Sequence, residues 1–460
     1  MNRFIGDRAF YKRVFAIALP IILQNLITNF VSMLDNIMVG QLSTAQIGAV
    51  TIANNNLFFI FTLCLYGGAA GAGIFTTQYY GSGNNDGIRH TFRFKLIACM
   101  SVALIGCSIF FFGGEVLISQ YLQGEGDPVL AQETLHYCKE YVLIMLIGMF
   151  PFALTNAYAG TLRECGHPMV PTVAGLVAMG VNLVGNYILI FGHLGLPAMG
   201  VAGAALATVI SRYVEFLIVA VWAHTHKKEC PYATGLYRSL YIPGKLLKSI
   251  TARGVLIIVN EGGFALGLAM LNQSYSYCSL DVVPALSIST TFYNVAAVAF
   301  HSLGNTVGII TGQMLGANLP KEEIRRDNSR QIALSVASGV IFGLVSVVLS
   351  GAFPNIYNTS DSVRQLAKWM IIISGVAMPI QAYFFPVYFT LRSGGKTVSA
   401  FAIDCGSLFL LSIPLAFICS RYTGLPVLAI YALCQGMDIV KCILGFFLIK
   451  KDDWLQNLTV

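Results

Sequence analysis

Charge is scarce in this chain: Asp, Glu, Lys and Arg make up only 11% of its 460 residues, whereas soluble proteins carry about a quarter. A soluble globular domain, and with it a soluble enzyme, is excluded. No C-x-x-C pair occurs among the eleven cysteines. They are odd in number and fall mostly in apolar stretches (Cys64, Cys99, Cys107, Cys405, Cys419, Cys434). They read as small packing residues, not as a disulfide framework or zinc site. Gly81-Ser82-Gly83-Asn84 is rich in turn formers but lacks the Lys of a phosphate loop. His193 and His301 have no partner at ligand spacing, so neither points to a metal, and no nucleophile–base arrangement is visible.

What the chain has instead is apolar length. Hydrophobic residues make up 56% of it and mean hydropathy is +0.70. They arrive in blocks long enough to cross a hydrocarbon layer of roughly 30 Å at about 1.5 Å per residue. Spans are predicted at 14–38, 48–79, 91–113, 137–160, 168–191, 197–223, 249–274, 282–314, 331–352, 365–391, 399–419 and 424–449. The fold class is therefore an all-α membrane protein with twelve transmembrane helices. The second and eighth spans exceed one crossing and are expected to tilt, bend or extend beyond the bilayer. The first is too long for a signal-peptide core and is expected to stay in the membrane.

Orientation follows from Lys and Arg, which remain cytoplasmic. The junctions 41–47, 192–197 and 272–284 contain neither, whereas the opposite side carries Arg3, Arg8, Lys12 and Arg13, then Arg89, Arg93 and Lys95, then Lys227, Lys228, Arg238, Lys245 and Lys248, then Lys321, Arg325, Arg326 and Arg330. Both termini are expected in the cytoplasm. This bias accounts for the net charge of +7, so no nucleic-acid partner is called for.

The chain also repeats itself. Gln78-x-x-Gly81 recurs as Gln313-x-x-Gly316, 235 residues later, and the same shift places Asn25 on Asn260 and Gly73 on Gly308. Thr161-Leu162-Arg163 recurs as Thr390-Leu391-Arg392, 229 residues later, with Gly166 on Gly395 and Arg212 on Lys441. The expected organisation is an N-terminal lobe, 1–235, and a C-terminal lobe, 236–460, of six helices each. An even number of spans per repeat inserts both lobes the same way round, related by a pseudo-twofold axis along the membrane normal. Two such lobes around a central cleft are a transporter architecture. Gly67, Gly68, Gly71 and Gly73, and Gly175, Gly180 and Gly185, are expected to allow close helix packing.

Polar residues inside the spans carry the chemistry. Asn25, Thr28, Asn29, Ser32, Asp35 and Asn36 recur at three- and four-residue steps, forming a stripe that cannot face lipid. Asp35 lies roughly 32 Å along its helix, and Asn182 and Asn186 share a face roughly 21 and 27 Å along the fifth span. The three can meet. A carboxylate with two amide oxygens and water suits a small cation, and the carboxyl can instead take up a proton, which removes the cost of burying its charge. Glu261 sits in a long uncharged stretch, where an ionised group costs about 2.5 to 3.5 kcal/mol at a helix centre. An acid placed there is a functional candidate, the alternative being one member of a purely structural ion pair. Its repeat mate is Leu26 and that of Asp35 is Met270, so the repeated scaffold carries unrepeated chemistry. Asp404 either contacts substrate or holds a loop containing Arg392 and Lys396. Arg212 with Glu215, and Lys441 with Asp438, read as structural pairs of opposite charge at i, i+3.

At Ala18-Leu19-Pro20-Ile21, Asp35-Asn36-Ile37-Met38-Val39-Gly40, Gln78-Tyr79-Tyr80-Gly81, Gln313-Met314-Leu315-Gly316-Ala317-Asn318 and Leu391-Arg392-Ser393-Gly394-Gly395, the chain resembles the MATE (multidrug and toxic compound extrusion) family, along nearly its whole length. The resemblance implies a MATE-like fold and export of small organic, cationic or lipophilic drugs by a monomer in the bacterial inner membrane, among its lipids, with inward flow of Na⁺ or H⁺ as the drive and no other cofactor. It makes Asp35, Asn182, Asn186 and Glu261 the candidate cation-coupling residues, with a possible Na⁺ at Asp35, Asn182 and Asn186. Asn25, Asn29, Asn260, Gln381 and Asp404 become candidates for the substrate cavity. Some members carry Asp where this chain has Asn186, and the NorM-like branch carries an acid where it has Gln381. Those departures weaken a copied Na⁺ site in either lobe. The runner-up is a flippase for lipid-linked oligosaccharide or peptidoglycan precursors, whose pyrophosphate cargo calls for more cavity Arg and Lys than Arg212 and Lys441.

Overall fold

The computed structural model describes residues 4–54, 58–122, 127–279 and 281–459; the side chains of Val31, Ser32, Met33, Asn36 and Ile60 lie outside the described set. The predicted stripe members Ser32 and Asn36 fall among these. The chain folds as α1 (Arg8–Val39), α2 (Thr44–Ile52), α3 (Phe58–Gly81), α4 (Asn85–Leu122), α5 (Pro128–Glu164), α6 (Met169–Phe191), α7 (Gly200–Thr225), α8 (Gly244–Ser276), α9 (Val282–Gly316), α10 (Lys321–Leu349) and α11 (Asp361–Ser393). There follow α12 (Thr397–Phe401), two π-helical segments (Ala402–Gly406 and Leu408–Ser412), α13 (Ile413–Tyr422), α14 (Val427–Gly436) and α15 (Asp438–Lys450). Among the described residues, eleven helical stretches are long and apolar enough to cross a membrane. The predicted second span corresponds to α2 and α3. The eighth, 35 residues in α9, is about 52 Å long.

Local sequence explains where helices begin and end. Asp127 caps α5 by accepting from Val129 N at 2.9 Å, with Pro128 in the first turn, where its missing N–H costs nothing. Ser360 caps α11. The repeat is visible in the turns. After α5, Cys165 N, Gly166 N and His167 N donate to the carbonyls of Thr161, Arg163 and Leu162; after α11, Gly394 N, Gly395 N and Lys396 N donate to those of Thr390, Arg392 and Leu391. Every bond recurs at the 229-residue shift, and Gly166 and Gly395 both adopt left-handed φ, 81° and 77°, the conformation that suits glycine at a helix end.

The chain divides into two compact units. One holds Met1–Ile22, Thr77–Gly83 and Val259–Val460; the other holds Leu23–Thr76 and Asn84–Ile258. Three of the unit boundaries fall within α1, α3 and α8, and the fourth in the turn between α3 and α4. In the second unit, a Cβ on Gly71 would meet the Gly254 backbone at 2.5 Å and one on Gly67 would meet Ile258 at 2.5 Å, so these glycines do allow close packing. Gly68 and Gly180 have nothing within 4 Å of that position. In the first unit, the C-terminal segment is anchored: Trp454 is fully buried, and Gln78 Nε2 donates to Ser393 O at 2.8 Å while its Oε1 accepts from Leu458 N at 2.7 Å.

Lys95, counted above among the positive residues of the cytoplasmic side, is completely buried in α4 and pairs with Glu164 at the end of α5. Removing one partner of a buried ion pair costs about 3–5 kcal/mol, because the other charge stays behind. Lys95→Met is expected to lower the thermal midpoint of the purified protein by that equivalent, and the double variant Lys95→Met/Glu164→Met to recover most of the loss.

Candidate ion-coupling sites

In the second unit, α1 and α6 bring Asp35, Asn182 and Asn186 together. Asn186 Nδ2 donates to Asp35 Oδ1 at 2.7 Å. The Asn182 amide satisfies its neighbours with its nitrogen 2.9 Å from Asp35 Oδ1 and its oxygen accepting from Thr208 Oγ1 at 3.2 Å. Both asparagines are buried and Asp35 is half-buried. Asn186 Oδ1 is buried without a hydrogen-bond partner among the described residues. A carboxylate that accepts from two amides, beside an unused amide oxygen, offers acceptors to a cation or a proton. Thr208, on α7, is absent from the sequence-based site. Its only signal was a hydroxyl in an Ala- and Val-rich helix. Asn25 and Asn29, also on α1, are exposed.

In the first unit the polar residues form two hydrogen-bonded groups. Glu261 is not isolated: its Oε1 lies 3.4 Å from Nη1 of Arg392, which also donates to Tyr388 Oη at 3.2 Å. Arg392 belongs to α11, not to a loop, and its guanidinium lies 5.2 Å from the ring centroids of both Tyr388 and Phe389. Asn260 Nδ2 donates to Tyr388 Oη and to Asp404 Oδ2, each at 2.9 Å. Gln381 Oε1 accepts from the Tyr293 hydroxyl at 2.6 Å, and its Nε2 donates to Gln435 Oε1 and Asp438 Oδ2, each at 3.1 Å. Lys441 pairs with Asp438 at 3.1 Å, as the i, i+3 spacing predicts.

The corresponding pair in the other half does not form. Among the described residues no ion pair within 4.0 Å joins Arg212 to Glu215. Arg212 lies over the Phe152 ring at 4.6 Å, with Nη1 3.8 Å from Met149 Sδ. An aromatic face attracts a poorly hydrated cation and takes the place of the carboxylate. His301 packs in an aromatic nest, 4.0 Å from the Phe385 ring centroid.

With this geometry in place, the MatE family model matches residues 20–188 and 266–418. The chain belongs to the MATE family. Relatives include the probable multidrug resistance protein YoeA of Bacillus subtilis, 23% identical over 90% of this chain and 87% of its own length. The probable multidrug resistance protein NorM of Thermotoga maritima is 22% identical over 91% of this chain and 87% of its own. The fold is that of an outward-facing multidrug resistance MATE family transporter of the MOP superfamily, with a TM-score of 0.86, 17% identity and coverage of 98% of this chain and 97% of that one. As a MATE protein the chain is a multi-pass membrane transporter with the family's twelve-helix fold, and it is not an enzyme. Arg392, at the end of a predicted span inside a recurring Thr-Leu-Arg motif, is the partner of Glu261 that sequence reasoning assigned to a loop.

Proposed function

We propose that this chain is a secondary active multidrug exporter, driven by Na⁺ or H⁺ entering through the Asp35 site. The observation that carries the reading is Asp35 itself, a membrane carboxyl whose acceptors face two buried asparagines and an unused amide oxygen. The names of its relatives support small drug-like cargo, which we take to be cationic or lipophilic. A cation on Asp35 and a drug in the cavity bias two facing states in opposite directions, so that each loads where the other leaves. We place the protein as a monomer among the lipids of the bacterial inner membrane, with cytoplasmic termini and two rocking six-helix lobes, 1–235 and 236–460.

Ethidium efflux from everted vesicles tests this, with Na⁺ removed and pH stepped on one side. Efflux that follows the pH gradient without Na⁺ assigns H⁺; efflux lost with Na⁺ assigns Na⁺. Absence of ion-driven ethidium movement under both conditions, together with translocation of a labelled lipid-linked precursor, would overturn the exporter reading in favour of a flippase.

A further inference from the structure

The first unit brings three carboxyl groups and two cations into one cluster. Glu261 pairs with Arg392 at 3.4 Å and Asp438 with Lys441 at 3.1 Å. Asp404 has no salt-bridge partner within 4.0 Å among the described residues, although it is buried. The groups facing it are Asn260 and Glu261 on α8, Tyr388 and Arg392 on α11, Lys441 and Asp438 on α15, and its own neighbour Cys405. With every acid ionised, the cluster holds one negative charge in excess, and Asp404 is the member left unpaired.

The backbone and the neighbouring amide fit that reading. Asp404 lies in a π-helical segment, Ala402–Gly406, closely followed by a second, Leu408–Ser412; such wide turns are rare and recur at functional sites. Asn260 is 97% buried, yet its Oδ1 has no hydrogen-bond partner among the described residues. Its Nδ2 donates to the carboxylate. Turned over, its oxygen accepts both from Tyr388 Oη and from an O–H on Asp404, since an amide presents a donor on one side and an acceptor on the other. Asn260 therefore serves Asp404 with and without a proton. A metal ion is disfavoured in a place already holding a guanidinium and an ammonium.

We propose that Asp404 is a proton-exchanging carboxyl of this transporter, separate from Asp35, with Asn260 as its positioning residue. The proposal rests on the antiport reading for its role in transport, but the proton itself is measurable without transport. The step is simple: the Asp404 carboxylate takes a proton from water on one side, and the O–H returns it to water on the other, leaving the carboxylate.

Infrared difference spectra of the reconstituted chain between acid and alkaline pH read the carbonyl stretch of a protonated carboxyl. A band that persists in Asp35→Asn and disappears in Asp404→Asn is expected, and Asn260→Leu, which keeps the carboxyl, should shift its frequency. The second variant decides the matter if Asp404→Asn does not fold. In proteoliposomes driven by ethidium, Asp404→Asn should carry one proton fewer per ethidium than the wild type. A band unaffected by both substitutions, or an unchanged proton count, overturns the proposal. Failure of the antiport reading is distinguishable, because it removes ethidium-coupled ion flux from the wild type and leaves the infrared result intact.

Discussion

Asp35→Asn is expected to abolish ion-driven accumulation of ethidium in everted vesicles while leaving the protein folded. Asparagine has nearly the shape of aspartate, and its side-chain oxygen can still accept from Asn186 Nδ2, which donates to Asp35 at 2.7 Å in the native chain. What is lost is the ionisable oxygen pair, without which neither Na⁺ nor H⁺ is held. The scale of the effect follows from the driving force. One elementary charge moved across 100 mV is worth about 2.3 kcal/mol, which sustains roughly fortyfold accumulation at 1.4 kcal/mol per decade. An uncoupled variant leaves ethidium near equal concentrations on both sides. If a monovalent drug exchanges for one monovalent cation, no net charge moves, and the same loss is read with an imposed ion gradient instead of a voltage. Glu261→Gln should behave differently, because Arg392 sits 3.4 Å from that carboxylate. There, part of the damage is a guanidinium left without its partner. Retention of full ion-driven accumulation in Asp35→Asn would mean that coupling does not pass through this carboxyl.

The spans and the meeting of Asp35, Asn182 and Asn186 were legible because both depend on regular quantities: apolar length against bilayer thickness, and a fixed rise and rotation per residue along a helix. Partners brought in from distant helices were not. Arg392 reaches Glu261 from 131 residues away and Asn260 reaches Asp404 from 144, and no local pattern encodes such an approach. Arg212 illustrates the converse. Its i, i+3 spacing to Glu215 is the same as that of Lys441 to Asp438, yet Phe152 captures the guanidinium. Spacing says which groups can meet, and the neighbouring helices decide which do. The π-helical turns at Asp404 were equally hidden, since the sequence there is an ordinary apolar run.

The recurring Gln-x-x-Gly motif can be read as packing, and its most severe test is Gly316→Val. A Cβ on Gly316 would lie 1.8 Å from the carbonyl oxygen of Gln78, and one on Gly81 would lie 1.9 Å from that of Gln313. The contact is reciprocal: each glycine of the repeat admits the backbone of the glutamine that heads the other copy. Without a hydrophobic drive between helices in lipid, such close backbone approach is a main source of association. The obstacle to a side chain is backbone, which cannot rotate away as a flexible side chain would. Overpacking costs typically 1–3 kcal/mol and occasionally more, and here about 3 kcal/mol or above is expected. Gly316→Val should therefore lower the thermal midpoint sharply or fail to yield monodisperse protein. Gly180→Ala is the matched control. That glycine is helical, with nothing within 4 Å of the added carbon, and alanine should gain about 0.5–1 kcal/mol from its better helix propensity. If Gly316→Val proved as stable as Gly180→Ala, the motif would not owe its recurrence to this crossing.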